Sequence, residues 1–454
     1  MDIKQLYSIY KQHPCITTDS RNCPKDSIFL ALKGDTFDGN KFALQALEKG
    51  CAMAIVDDKT YAADDRFILV DDCLQTYKDL AHEHRRQFDI PVIGITGTNG
   101  KTTTKELVKA VLSEKYNVLA TEGNYNNDVG VPKTLFQLNS SHEIAIIEMG
   151  ASHPGDIKTL AETAEPTCGI ITNVGRAHLQ GFGSFEGVVK TKGELYDYLS
   201  TREDGLVFVN ADNDVLCDLL DEKDEMWVTP YSTDPDKQYE CISGEIIEAS
   251  PYLKFRWRKP LMELERTQAS AKWHKVQTQL VGAYNIDNLM AAIAVGINFD
   301  VDRKQICHAL ENYAPNNSRS QLVVSEHHAA DGTLTGKNTL IVDAYNANPS
   351  SMAAALDNFQ LFDAPRKMVI LGDMRELGDA SLEEHQAVVD MLGNMDLDTV
   401  WLVGPEFGRT QCSYRRFADV EEVKAALKDE RPEDYTILVK GSNGTHLFQL
   451  PQLL

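Results

Sequence analysis

The feature that most restricts the fold is a short glycine-rich segment, Gly97-Thr98-Asn99-Gly100-Lys101-Thr102-Thr103, which directly follows the apolar run 92–96. The run has the length and composition of a buried strand, and residues 102–116 have the spacing of a helix. A strand, a glycine-rich turn and a helix in this order are typical of a βαβ unit. We therefore expect an α/β fold with a mainly parallel sheet.

The same segment has the chemistry of a phosphate-binding loop. Glycines allow backbone N–H groups to wrap around a phosphate, and the helix N-terminus adds partial positive charge. Lys101 can hold the outer phosphates, and the Thr102 hydroxyl can reach a magnesium ion. The general pattern places a glycine five residues before Gly100, where this chain has Ile95. The match is therefore to a shorter G-x-x-G-K-T form, and it predicts ATP and magnesium as cofactors.

The length of 454 residues predicts more than one domain. Three blocks of strand-like and helix-like runs can be separated, at residues 1–88, 89–315 and 316–454. The first block ends in an expected helix at 77–88. Apolar runs that predict strands lie at 92–96, 144–147, 169–172, 206–209, 339–342, 367–371, 400–403 and 436–439, and residues 225–281 are irregular and strand-prone. The expected fold is α/β throughout: a small N-terminal domain, a central nucleotide-binding domain with a mainly parallel sheet, and a C-terminal Rossmann-like domain.

Charge argues against several classes of partner. The chain has 45 basic and 68 acidic residues, for a net charge of -23. Such a balance disfavours broad binding to nucleic acid or to anionic membranes. The longest apolar run, residues 289–297, is far shorter than the ~20 residues that a membrane span requires. With no signal-like N-terminal segment, we expect a cytoplasmic protein without membrane insertion.

Polar residues follow three of the predicted strands. Glu148 is placed to be a magnesium ligand, because ligands gather at the carboxyl ends of strands in open α/β sheets, although it could also be a solvated acid. His178 is more typical of a structural hydrogen-bonding residue than of a ligand. Asp343 and its Asn-rich loop fit either a turn or amide and ribose recognition. The residue pattern alone predicts a solvated Lys192 and gives it no role.

These residues belong to strings that, in order, resemble the Mur ligase family along nearly the whole chain. The strings are Thr18-Asp19-Ser20-Arg21, Gly97 to Thr103, Gly123-Asn124-Tyr125-Asn126-Asn127, Glu148-Met149-Gly150, Ala177-His178-Leu179, Lys192-Gly193-Glu194, Asn285-Ile286-Asp287-Asn288, Asp343-Ala344-Tyr345-Asn346-Ala347-Asn348-Pro349 and Leu371-Gly372-Asp373-Met374-Arg375-Glu376-Leu377-Gly378.

The resemblance implies roles that the residues alone do not. Two magnesium ions would be held by Thr102, Glu148, His178 and a CO2-derived carbamate on Lys192. Together with the phosphate loop, ATP would be bound by Asn285, Asn288, Asp343 and Arg319, the last of which reaches the γ-phosphate. The catalytic residues implied are Lys101, Glu148, His178, Lys192 and Arg319. The substrate would be bound by Thr18, Asp19, Ser20, Arg21, Asn126, Asn127, Tyr345, Asn346 and Asn348, of which the first four meet its UDP part.

Within the family the strings are most similar to the branch that joins D-alanyl-D-alanine to UDP-N-acetylmuramoyl-tripeptide through an acyl phosphate. The resemblance implies these two small-molecule substrates and a monomer. Two alternatives remain open at this point. One is another ligase of the superfamily, either diamino-acid-adding or of the folylpolyglutamate synthase type. The other is a non-catalytic ATP-binding regulator.

Overall fold

The computed structural model describes residues 2–34, 36–177, 179–223, 226–260, 272–315, 321–328, 331 and 334–454. The predictions for His178 and Arg319 lie outside these described residues. The chain divides into two compact units. Unit 1 contains Met1–Gly94, Tyr116–Ala151 and Gly155–Cys168, and unit 2 contains Ile95–Lys115, Ser152–Pro154 and Gly169–Leu454.

The N-terminal region is a small α/β layer that lies within unit 1. Its helices are α1 (Ile3–Gln12), α2 (Ala43–Glu48) and α3 (Cys73–Arg85). Its strands are β1 (Ile16–Thr17), β2 (Ile28–Leu30), β3 (Lys33–Gly34), β4 (Phe37–Asp38), β5 (Met53–Val56) and β6 (Phe67–Leu69). A parallel sheet runs in the order β1-β2-β5-β6, and β3 and β4 form an antiparallel pair. The apolar side chains of β2 and β5 form the core, together with residues of α1 and α3.

The central region is built on a nine-stranded sheet. Its strands are β7 (Val92–Thr96), β8 (Val118–Ala120), β9 (Ile144–Glu148), β10 (Cys168–Ile171), β11 (Leu206–Asn210), β12 (Trp227–Ser232), β13 (Ile242–Glu248), β14 (Lys254–Arg258) and β15 (His274–Gln277). Its helices are α4 (Lys101–Ser113), α5 (Gly130–Leu135), α6 (Asp156–Ala164), α7 (Leu179–Phe182), α8 (Phe185–Ser200), α9 (Asp214–Asp221), α10 (Ile286–Asn298) and α11 (Arg303–Asn312). The strand order is β15-β14-β13-β12-β11-β10-β7-β9-β8.

One end of this sheet changes direction. The pairs β8–β9, β11–β12 and β12–β13 are parallel, whereas β13–β14 and β14–β15 are antiparallel. The antiparallel strands fall in the stretch 225–281, for which the sequence predicts strands but no bounds. In β14 buried residues alternate with half-buried ones, whereas β13 is buried at one end and exposed at the other.

The C-terminal region, from residue 321 onward, has a six-stranded sheet and lies within unit 2. Its strands are β16 (Gln321–His328), β17 (Leu334–Asp343), β18 (Lys367–Gly372), β19 (Thr399–Val403), β20 (Arg415–Phe417) and β21 (Thr436–Lys440). Its helices are α12 (Pro349–Gln360), α13 (Ser381–Leu392), α14 (Pro405–Gly408) and α15 (Val420–Asp429). The order is β16-β17-β21-β18-β19-β20, and all pairs are parallel except β16–β17. Apolar clusters cover both faces of this sheet, as expected for a doubly wound fold.

The α/β class predicted from the sequence is confirmed. Strands β7, β9, β10, β11, β18, β19 and β21 fall on the predicted apolar runs to within a residue or two. In the described part of the chain, every helix is too short or too polar to cross a bilayer.

Candidate functional site

The phosphate loop joins β7 to α4 through two glycines with positive φ, 137° at Gly97 and 81° at Gly100. A Cβ atom on Gly97 would lie 2.0 Å from Thr172 Oγ1, and one on Gly100 would lie 2.5 Å from Asn288 Oδ1. Both the backbone conformation and the available space therefore require glycine. The helix begins at Lys101, so its N-terminal N–H groups face the loop, as the sequence predicts.

A second loop, which follows β10, holds the phosphate loop in place. The amide of Asn173 contacts both backbone groups of Asn99: its Oδ1 accepts from Asn99 N at 3.0 Å, and its Nδ2 donates to Asn99 O at 3.1 Å. Thr172 Oγ1 donates to the same carbonyl at 2.6 Å, and Thr98 N donates to Asn173 O at 2.9 Å. The sequence did not predict that Thr172 and Asn173 hold the phosphate loop in place. The only available signal was a polar pair directly after an apolar strand.

The side chain of Lys101 lies over its own loop. Its Nζ donates to Gly97 O at 2.8 Å and to Thr98 O at 3.0 Å. A phosphate oxygen is a stronger acceptor for an ammonium than a neutral carbonyl, so these bonds can be exchanged for bonds to a nucleotide. Thr102 is buried in the first turn of α4. Both residues therefore lie at the start of α4 beside the loop, and their contacts with phosphate and magnesium stay predictions.

Two buried asparagines connect α10 to the helix that follows the loop. Thr104 Oγ1 donates to Asn288 Oδ1 at 3.0 Å, and Asn288 Nδ2 donates to Asn285 Oδ1 at 2.9 Å. Asn285 Nδ2 donates in turn to Val281 O at 2.8 Å. The structure therefore gives both residues a supporting contact next to the loop, and their contact with ATP stays a prediction.

Glu148, in unit 1, ends β9 and is only 1% exposed, so it is not the solvated acid of the alternative interpretation. Asn126 Nδ2 donates to Glu148 Oε1 at 2.9 Å, and Glu148 N donates to Thr121 Oγ1 at 3.0 Å. Gly150 N donates to Asn126 O at 2.7 Å, and a Cβ on Gly150 would lie 2.9 Å from the Asn126 amide carbon. Two separate sequence strings thus meet to orient one carboxylate.

The neighbouring Asn127 has a different contact from Asn126. Its Oδ1 accepts from Gly130 N at 2.8 Å, at the start of α5. These contacts do not test the predicted binding of substrate by Asn126 and Asn127, which stays a prediction.

The string Thr18 to Arg21 forms a partly exposed loop of unit 1. Arg21 donates to the Asp19 carboxylate from its backbone N, Nε and Nη2, each at 2.9 Å. These hydrogen bonds lower the pKa of Asp19 to about 2. Lys49 Nζ donates to Ser20 O at 2.7 Å and fixes the loop from the other side. The loop thus presents a paired arginine and aspartate at the surface, and its binding of the UDP part of a substrate stays a prediction.

Asp343 ends β17 and pairs with a lysine that sequence analysis did not select. Lys440, the register partner of Asp343 on β21, is 1% exposed, and its Nζ donates to Asp343 Oδ2 at 2.5 Å. The same Nζ lies 3.4 Å from Asn346 O. Asn346 is exposed and Tyr345 is half-buried in the loop that follows. Asp343 and Lys440 meet only when β17 pairs with β21. The sequence alone therefore shows Lys440 as a lysine at the end of a predicted strand and does not reveal its partner.

Asn348 caps α12 and also contacts the phosphate loop. Its Oδ1 accepts from Ser351 N at 2.9 Å, and its Nδ2 donates to Asn99 Oδ1 at 2.8 Å. The phosphate loop and the loop after Asp343 are therefore in direct contact within unit 2, through two residues that are 249 positions apart. The predicted binding of substrate by Tyr345, Asn346 and Asn348 stays a prediction.

Lys192 lies on α8 and is 2% exposed, so the expectation of a solvated lysine is wrong. It faces the protein interior because α8 packs its apolar side inward, and its Nζ lies 5.6 Å from the centre of the Phe182 ring. Among the described residues, no group of three or more His, Cys, Asp or Glu could by itself hold a metal ion. Magnesium does not require such a group, because it commonly binds one or two protein oxygens and completes its octahedron with water and phosphate.

Comparison with known proteins agrees with this geometry. Residues 95–296 match the Mur ligase middle domain, residues 332–443 the Mur ligase glutamate ligase domain, and residues 14–85 the Mur ligase catalytic domain model. The chain is 32% identical to the UDP-N-acetylmuramoyl-tripeptide--D-alanyl-D-alanine ligase of Treponema pallidum, with 97% of this chain and 93% of that protein covered. It is 30% identical to the Bacillus subtilis enzyme of the same name, with 96% and 92% covered.

A solved structure described as MurF from Acinetobacter baumannii superposes with a TM-score of 0.84 at 28% identity, with 99% of this chain and 98% of that chain covered. The similarity thus extends over sequence, order of domains and fold, and the chain belongs to the Mur ligase family.

Proposed function

We propose that this chain is an ATP-dependent ligase that joins D-alanyl-D-alanine to UDP-N-acetylmuramoyl-tripeptide. The observation that carries the proposal is similarity, over nearly the full length of the chain, to two ligases of that name. This reaction belongs to the synthesis of peptidoglycan precursors in the cytoplasm, where we expect the chain to act as a monomer.

The first step is phosphorylation of the tripeptide carboxylate. The carboxylate oxygen attacks the γ-phosphorus of ATP, ADP leaves, and an acyl phosphate forms. The loop N–H groups and Lys101 would hold the phosphates, and Thr102 and Glu148 supply the hard oxygen ligands that magnesium prefers. Magnesium, when bound, screens the repulsion between the two reacting anions.

The second step forms the amide. The amine of D-alanyl-D-alanine attacks the acyl carbon, phosphate leaves, and the amine loses its proton. A free carboxylate would have to expel oxide, which is why the first step is needed. No covalent enzyme nucleophile takes part. The contact of the C-terminal region with the phosphate loop supports exclusion of water from the acyl phosphate.

Lys192 is the candidate for carbamylation. Its burial on α8 and its place in the string Lys192-Gly193-Glu194 support the proposal. Incubation with 13C-labelled CO2 should give a carbamate carbon signal that Lys192→Ala lacks. Short carboxylic acids should restore activity to that variant. Full activity of untreated Lys192→Ala would contradict the carbamate.

The test of function is phosphate release from ATP with each substrate omitted in turn. We expect turnover only when UDP-N-acetylmuramoyl-tripeptide and D-alanyl-D-alanine are both present, with a product mass equal to their sum less water. Turnover with a UDP-dipeptide and a diamino acid, or with a folate and glutamate, would favour the other ligases. Nucleotide binding without turnover would favour a regulator.

A further inference from the structure

The N-terminus of α12 makes a specific contact with the tip of the phosphate loop. Asn348 is the N-cap of this twelve-residue helix and is itself buried, and Pro349 occupies the first helical position. Its side chain Oδ1 accepts from Ser351 N at 2.9 Å, while Ser351 Oγ accepts from Asn348 N at 3.1 Å. The bond from Ser351 N fixes the Asn348 side chain, whereas the bond to Ser351 Oγ holds only the Asn348 backbone.

The cap also fixes which end of the amide faces the loop. Because Oδ1 must accept the helix N–H, Nδ2 is the end that points away from α12. It points to Asn99 Oδ1, 2.8 Å away. The orientation of the donor therefore follows from the capping geometry.

Asn99 is equally well fixed on its own side. Its backbone N and O both bond to the Asn173 amide, and its carbonyl also accepts from Thr172. With the backbone held, Asn99 Oδ1 accepts the hydrogen bond from Asn348 Nδ2. A change in the loop at Asn99 must therefore be transmitted to Asn348 or break their bond.

Two further close contacts join the loop after β10, which holds the phosphate loop, to the C-terminal region. A Cβ on Gly175 would lie 2.9 Å from Ser350 Oγ and 3.5 Å from Thr98 Cγ2. Arg176, on the loop after β10, lies 3.5 Å from Glu384 on α13. The second approach is long and largely exposed, so it contributes little. The Asn99–Asn348 bond is the specific element.

We infer that Asn348 is a positioning residue that couples the phosphate loop to the C-terminal region through Asn99. Its amide holds the two halves of the ATP site in register for phosphoryl transfer, without itself contacting the nucleotide. The inference rests on the proposed function, because its consequence is measured in that reaction.

The test uses the full chain and two variants. Asn348→Ser keeps a good N-cap for α12 but is too short to reach Asn99, and Asn99→Ala removes the acceptor. Each variant should lower kcat by about 3- to 10-fold, the range expected for one neutral hydrogen bond. The KM for ATP should stay within about twofold, because the loop is expected to hold phosphate through its N–H groups and Lys101, and neither variant removes these groups.

The double variant and a matched control isolate the coupling. Asn348→Ser combined with Asn99→Ala should be no slower than the slower single variant, because both remove one bond. Ser351→Ala removes the other half of the capping pair and leaves Asn99–Asn348 intact, so its kcat should equal that of the unmodified protein. ADP formation in the first turnover should fall by the same factor as kcat.

Three results would overturn the inference: an unchanged kcat in either single variant, a multiplicative loss in the double variant, or an equal loss in Ser351→Ala. If the unmodified chain itself forms no ligation product, the proposed function fails instead. The two failures are therefore distinguishable.

Discussion

At the scale of single residues, the carboxylate of Glu148 depends on a neighbour that does not itself carry charge. Asn126 donates to one of its oxygens, and Gly150 leaves room for that amide. Partners that orient a metal ligand are commonly worth 10- to 100-fold in metal affinity or activity. The contribution of Asn126 should therefore appear in the magnesium dependence.

We expect Asn126→Ala to raise the magnesium concentration for half-maximal activity by about tenfold, because Glu148 loses the bond that orients it. Binding of Mn2+ to the enzyme–nucleotide complex, measured by electron paramagnetic resonance, should weaken in parallel. Asn127→Ala is the control, since Asn127 contacts Gly130 and not Glu148. Equal effects of the two changes would show that Asn126 acts on the fold alone.

Lys440 offers a second prediction at this scale. Removing one partner of a buried ion pair leaves the other charge without compensation, which costs about 3 kcal/mol or more. Because Asp343 retains 17% side-chain exposure, we expect Lys440→Ala to lower the free energy of unfolding by about 3 kcal/mol, the lower end of that range.

Urea denaturation of the full chain, monitored by circular dichroism, would measure this change in the unfolding of the C-terminal region. Lys424→Ala is a matched control, because Lys424 forms an i,i+3 surface pair with Glu421 and should cost less than about 1 kcal/mol. A similar cost for both lysines would contradict the structural importance assigned to Lys440.

Whether the role of a residue could be predicted from the sequence depended on where its partners lie in the chain. The phosphate loop was predicted because glycine, lysine and helix start are neighbours in the chain. Thr172, Asn173 and Lys440 were missed because each acts on a residue that only the folded sheet brings near. The burial of Lys192 was missed for a related reason: lysines on amphipathic helices are ordinarily solvated.

At the scale of elements, a buried histidine connects three helices or their ends in unit 1. His84 on α3 lies between Tyr7 Oη of α1, 2.9 Å from its Nδ1, and Leu138 O beyond α5, 3.1 Å from its Nε2. Burial lowers the pKa of His84 below its ordinary value of 6.5. The neutral ring is thus the form that the folded chain prefers.

Stability should consequently fall on acidification. Above pH 6.5 His84 is neutral in both folded and unfolded chains and causes no pH dependence. Below pH 6.5 the unfolded chain binds a proton first, so unfolding becomes more favourable as pH falls. In thermal unfolding, the melting temperature of the unmodified chain should fall more between pH 7.5 and pH 5.5 than the melting temperature of His84→Gln. Parallel curves for the two proteins would exclude His84 as the cause.

Element boundaries were predicted well where apolar periodicity was strong and poorly where polar residues are buried. Helix α3 begins at Cys73 and not at the expected Tyr77, because Asp72 caps it by accepting from Gln75 N. Strand β17 extends back to Leu334, well before the expected start at Thr339. Its buried Asn338 bonds to Pro432 O and Leu454 O, which only the tertiary structure provides.

At the scale of the whole molecule, the net charge of -23 should slow the approach of anionic substrates. Added salt shortens the Debye length to about 8 Å at physiological ionic strength and screens this repulsion. We expect kcat/KM for the UDP-linked substrate to rise by about twofold between roughly 20 mM and 150 mM NaCl. A steady decrease over this range would mean that basic groups around Arg21 and Lys49 dominate the approach.

The strand order of the C-terminal sheet has a consequence for synthesis. β21 is the last strand in the chain, yet it lies between β17 and β18 and carries Lys440 to Asp343. A nascent chain that lacks Thr436–Lys440 leaves both neighbouring strands without their central partner. Because domains fold as their segments emerge from the ribosome, this half of the site can form only after residue 440 has been made. Prematurely terminated chains would carry a phosphate loop but no completed ligase.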